Sequence, residues 1–174
     1  MKRLVLLLLW AMSLLAFGQR QTLPSMVSVY VGDSIYEIPP VITQTEFKPG
    51  WKIVDIQTNG KTSRYLWGKH SRQFCDDRQP RFVIDPRQYK LADFVLIKLK
   101  EKKEYRKFAS HDFYECDFKR FGLDLVAITV LDDDRFDIRF HDPLVPGEYV
   151  IVNMKAEPVN EYGDIEVFPF TITK

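Results

Sequence analysis

The sequence predicts an all-β protein built as an antiparallel β-sandwich. Two observations carry this. Apolar residues alternate with polar ones at a period of two, as Phe136, Ile138 and Phe140 do against Asp137, Arg139 and His141. Such a segment buries one face and wets the other. The runs are also short and are separated by turn signals: Gly32-Asp33, Pro39-Pro40, Pro49-Gly50, Asn59-Gly60, Asp132-Asp133-Asp134 and Pro146-Gly147. Many short strands at that spacing suit a sandwich or a barrel.

In chain order, Val27, Val29 and Val31 share one face of a first strand, with Ser28 and Tyr30 between them. Ile53, Val54 and Ile56 begin another strand after Trp51, and Arg81-Phe82-Val83-Ile84 forms a further one. Residues 91–108 are rich in Leu, Lys and Glu, which favour helix, yet Val95, Ile97 and Leu99 alternate. The segment therefore reads as a hairpin with strands near 94–100 and 104–108 and a charged tip. Strands over 125–131, 135–140 and 148–153 follow, and Phe168, Phe170 and Ile172 share a face of the last. Pro169 inside that last strand cannot donate to a ladder, so it predicts an edge or a bulge there.

Residues 1–18 read as a secretory signal peptide. Met1-Lys2-Arg3 is a positive start, residues 4–15 are apolar apart from Ser13, and Ala16-Phe17-Gly18 places small residues before a cut ahead of Gln19. That is the pattern of an export leader, and its apolar run is shorter than the about 20 residues a bilayer span needs. Removal leaves 156 of 174 residues, expected as one domain over 19–174, with N-terminal strands over 19–75 and a core over 76–174. Losing Lys2 and Arg3 takes the net charge from +1 to −1. That balance gives no electrostatic case for nucleic acid as a partner. No further apolar stretch reaches membrane length, so no transmembrane segment is expected after cleavage, and the protein is expected in the periplasm or secreted.

Export also bears on Cys75 and Cys116, the two cysteines of the chain. In an oxidising compartment they are expected to form a disulfide, with two free thiols as the alternative. Their spacing fits neither a Cys-x-x-Cys redox pair nor a zinc ligand set.

Catalytic and metal signatures are weak. His111-Asp112 and His141-Asp142 are two His-Asp pairs without the spacing of a metal motif. Ser71 beside His70 lacks the Gly-x-Ser-x-Gly of a nucleophile elbow. Asp132-Asp133-Asp134 fits a turn better than a calcium loop. No catalytic residue, metal or cofactor is assigned. The best binding candidate is the hairpin tip, where Lys100, Lys102, Lys103 and Arg106 surround Tyr105. Such a surface could grip an anionic glycan or an envelope protein; lysines that keep an edge strand from aggregating are the plainer reading. Trp51, Trp67, Phe47 and Tyr65 read as core, with a sugar-stacking face as the alternative.

Pro146-Gly147-Glu148-Tyr149 is a tight turn with Tyr at a strand start. It resembles the tyrosine corner of immunoglobulin-like sandwiches, where the hydroxyl bonds back to upstream backbone. Gly68-Lys69-His70-Ser71, Pro80 with Phe82, Phe94-Val95-Leu96-Ile97-Lys98-Leu99 with Lys102, Lys103 and Arg106, and Leu144 through Tyr149 together resemble a loose group of uncharacterised secreted bacterial proteins. That resemblance implies an exported β-rich domain and no activity. The expectation is a non-enzymatic exported binding or envelope-interaction module. The rival is a metal-dependent or other hydrolase whose site is assembled only in three dimensions.

Overall fold

The computed structural model describes residues 25–48, 52–53, 56–57, 61–109, 118–120 and 126–173. The chain runs through β1 (Val27–Val31), β2 (Ser34–Glu37), β3 (Val41–Ile42), β4 (Gln44–Lys48), β5 (Lys52–Ile53) and β6 (Ile56–Gln57). It continues through β7 (Lys61–Trp67), β8 (Phe74–Cys75), β9 (Arg81–Ile84), a 3-10 turn (Leu91–Asp93), β10 (Phe94–Lys98), β11 (Lys100–Glu101) and β12 (Tyr105–Ala109). The last strands are β13 (Phe118–Arg120), β14 (Val126–Val130), β15 (Phe136–Phe140), β16 (Gly147–Asn153) and β17 (Glu166–Ile172). The protein is all-β, as the period-two pattern requires.

Three sheets matter. One has the order β14-β15-β9-β1-β2, the second β13-β10-β16-β17-β3 with β8 added beside β17, and the third β11-β12-β7-β4. The first two face each other across the main core, where Val27, Val29, Phe82, Ile84 and Ile138 meet Phe94, Leu96, Ile151, Phe168 and Phe170. Fully burying each such side chain is worth about 1.5–3 kcal/mol. A second core lies on the opposite face of the middle sheet, where Val95, Ile97, Val150 and Val152 meet Leu66 and Phe108 of the third.

The middle sheet is therefore covered on both faces, which explains Phe94-Val95-Leu96-Ile97. A strand buried on both sides reads as a continuous apolar run. Phe94 and Leu96 enter the first core while Val95 and Ile97 enter the second.

The expected 94–100/104–108 hairpin is corrected on this point. β10 pairs with β16 and β13, not with β12. The chain changes sheets at buried Leu99, and the hairpin is the short β11–β12 pair, with Lys100 opposite Lys107 and Glu101 opposite Arg106. A core on each side of β10 draws it into the middle sheet and leaves only the charged tip to the third.

The expected corner at Tyr149 is formed. Its hydroxyl donates to Val145 O at 2.6 Å, and its ring stacks on Phe170 at 5.7 Å. Asp132-Asp133-Asp134 is the tip of the β14–β15 hairpin, closed by Leu131 N–H donating to Arg135 O at 2.8 Å.

Among the described residues Cys75 is a free, buried thiol of the main core. Burial, then Asp76 and Asp77, push its pKa up to about 12, which disfavours the thiolate. Cys116 lies outside the described residues, as do residues 1–24, Trp51, His111 and Asp112.

Candidate functional site

Alternation along β12 separates the residues of the expected basic site. Tyr105 and Lys107 face outward, opposite Trp67 and Tyr65 of β7, while Arg106 and Phe108 face inward, opposite Leu66 and Arg64. Lys102 and Lys103 are exposed in the turn, which Lys102 N–H closes on Tyr105 O at 2.8 Å, and Lys100 is half-buried at its base. Arg106 is no part of this surface: its side chain is buried. The basic tip expected from sequence thus reduces to Lys100, Lys102 and Lys103 beside Tyr105.

The outward face is aromatic. Tyr105 meets Tyr65 edge to face at 5.3 Å and Trp67 at 6.1 Å. Trp67 is 61% exposed and Phe47 63%, so the reading of both as core is corrected. Trp67 is held in place by its indole Nε1–H, which donates to Gln44 Oε1 at 2.5 Å. Tyr65 donates its hydroxyl to Glu46, which holds its pKa above the usual phenol value. The rings therefore stand fixed on a sheet face, not folded into the core.

Behind this face lies a buried polar cluster. Glu148 of β16 points the same way as Val150 and Val152, toward the third sheet, and is buried. Its Oε2 accepts from Arg106 Nη1 at 2.8 Å, Ser71 N–H at 3.0 Å and the Ser71 hydroxyl at 2.9 Å. Its Oε1 accepts from the Thr171 hydroxyl at 2.6 Å and lies 3.1 Å from His70 Nδ1. Burial alone would raise the Glu148 carboxyl, but the bonds from Thr171, His70, Ser71 and Arg106 together hold it below the usual carboxylate range.

Arg106 also reaches the backbone of the adjacent loop, donating Nε–H to Gly68 O at 3.1 Å and Nη2–H to Trp67 O at 3.4 Å. The cluster thus pins the segment carrying Trp67 and His70 to the middle sheet. Gly68-Lys69-His70-Ser71, Arg106 and Glu148, distant in sequence, meet here.

This arrangement makes no nucleophile. The Ser71 hydroxyl donates to Glu148 and accepts from Arg106 Nη1 at 2.5 Å, so its partners are an already neutralised ion pair. His141 and Asp142 are exposed, the His141 carbonyl accepting from Gln79 Nε2 at 2.9 Å. Glu148 is not legible in the sequence, because a Glu after Pro-Gly reads as a solvated turn residue.

A cleft of about 340 Å³ opens beside Trp67, lined among others by Pro39, Pro40, His70, Arg72 and Pro169. A larger one of about 560 Å³, under Tyr30, has charges of both signs, Asp76 and Asp77 against Arg81 and Arg139. Among the described residues, no helix is long and apolar enough to cross a membrane. Comparison of the chain with protein-family models, curated proteins and solved structures finds no match.

Proposed function

We propose that this protein is a non-enzymatic binding module, exported by the leader at residues 1–18 to the periplasm or beyond, that recognises an anionic glycan. The carrying observation is the outward row of Tyr65, Tyr105 and Trp67 on the third sheet, next to Lys102 and Lys103 at its tip. Scattered exposed apolar residues are ordinary; aromatics gathered on one surface are the informative case. Flat rings offer apolar faces to the C–H faces of sugar rings, and the lysines supply attraction for a negatively charged chain. Gln44 and Glu46 border the rings with hydrogen-bonding groups.

The C-terminal part, 76–174, is read as immunoglobulin-like on the strength of the Tyr149 corner. The hydrolase rival loses support from the placement of Ser71, whose hydroxyl is committed to Glu148. Electrophoresis through gels containing polygalacturonate, heparin or neutral hydroxyethylcellulose tests the proposal. Retardation is expected in the anionic gels, reduced by Trp67→Ala; equal mobility in all three gels overturns the reading.

A further inference from the structure

The cleft beside Trp67 occupies a gap in the edge of β17. On that side β3 covers Glu166 and Val167, and β8 covers Thr171 and Ile172. Among the described residues, no strand pairs there with Phe168, Pro169 and Phe170, which lie between them. Pro169 is the residue of this uncovered stretch that lines the cleft, and proline has no N–H to leave unpaired. The gap is thus tolerated by the sequence itself.

One wall is formed by residues 39–41 entering β3, the other by residues 71–73 entering β8, and Trp67 with His70 closes an end. Three prolines and a Trp give flat apolar walls. Among the described residues, the ionisable side chains that line it are His70, Arg72 and Arg106, with no carboxylate. Glu148 lies buried behind, with both oxygens taken by His70, Ser71, Arg106 and Thr171. With Nδ1 committed to Glu148, Nε2 is the His70 nitrogen left for a ligand.

We infer that this cleft is a subsite for a single sugar residue bearing an oxyanion, at the end of the glycan whose following residues cross the Tyr105 face; this rests on the binding function proposed above. Trp67 borders both surfaces and stacks on the sugar at their junction. Arg72 takes the oxyanion through its planar guanidinium, which suits carboxylate and sulfate alike, and His70 Nε2 takes a neighbouring polar group. A volume of about 340 Å³ stands at the small end of ligand sites, which run to about 300–1,000 Å³, and so fits a residue or two and not a chain.

Calorimetry with four probes tests this: digalacturonate, hexagalacturonate, a heparin hexasaccharide and neutral cellohexaose. Arg72→Ala is expected to weaken digalacturonate about tenfold or more, the worth of one charge-assisted hydrogen bond, while Lys102→Ala/Lys103→Ala weakens it less than it weakens hexagalacturonate. Both variants weaken hexagalacturonate. An Arg72-dependent preference for the heparin hexasaccharide assigns the oxyanion as sulfate, and one for the galacturonates as carboxylate; either supports the subsite. If Arg72→Ala changes no affinity while Lys102→Ala/Lys103→Ala weakens the hexamers, the subsite is overturned and the aromatic face stands. If wild-type protein binds cellohexaose as tightly as the anionic probes, or binds none of the four, both readings fall.

Discussion

Arg106 Nη1 lies 2.8 Å from Glu148 Oε2, and the two side chains are 4% and 1% exposed. The pair joins β12 of the outer sheet to β16 of the middle one, at the margin of the apolar layer between them. Removing either partner leaves a buried charge without its counter-ion. Glu148→Ala is therefore expected to cost about 3–5 kcal/mol in denaturant unfolding, whereas Arg106→Met/Glu148→Leu recovers most of that loss. A double variant as unstable as the single one contradicts this account of the pair.

Glu148 also sets an acid limb of stability. Its pKa is depressed in the folded protein, so its contribution is complete above the unfolded value of about 4.3 and is lost as pH falls through the lower folded value. Urea midpoints measured against pH should fall more steeply at the acid end for wild type than for Glu148→Gln. Parallel curves would remove Glu148 from the cause.

The Tyr149 corner predicts a small, clean effect. Tyr149→Phe keeps the ring against Phe170 and deletes the 2.6 Å bond to Val145 O. The expected loss is about 1 kcal/mol, read as a shifted denaturation midpoint at constant m-value.

Cys75 is expected to be silent to thiol reagents in the folded protein near pH 8, given a pKa pushed up to about 12 and its burial. Denaturation without reductant should expose two titratable thiols in the chain. Finding none would show that Cys75 and Cys116 are bridged after all.

Much of the fold was readable because burial imposes period two on strands. Strands β15, β16 and β17 fall where the alternation of Phe136, Ile138 and Phe140, the turn before Tyr149, and the run Phe168, Phe170, Ile172 place them. The partners of β10 were not readable, because a run apolar on both faces does not say which sheet claims it.

The candidate site was half visible. Lys102, Lys103 and Tyr105 stand on the surface, as their charge and position suggest. Charge groups Arg106 with them, although alternation with Tyr105 and Phe108 places it on the inward face. Trp67 sits on an outward strand position, which its hydrophobicity concealed. Glu148 was hidden because all but one of its partners in the cluster (Arg106, His70, Ser71) come from elements of the third sheet or the loop after β7.

If the lysine tip supplies the long-range attraction, Lys102→Glu/Lys103→Glu should abolish retention on heparin resin at low salt and flatten the salt dependence of what remains. Both residues lie in an exposed turn, so the melting temperature should not move. Retention equal to wild type across the salt series would show that this tip is a solvated edge and no binding surface.

The aromatic row is the centre of the account, and calorimetric titration of hexagalacturonate into wild type and Trp67→Ala/Tyr105→Ala tests it most directly. Two stacking rings lost should weaken binding about tenfold or more at an unchanged melting temperature. Equal affinity in the two proteins, or no heat of binding from wild type, would contradict the assignment of this sheet face to an anionic glycan.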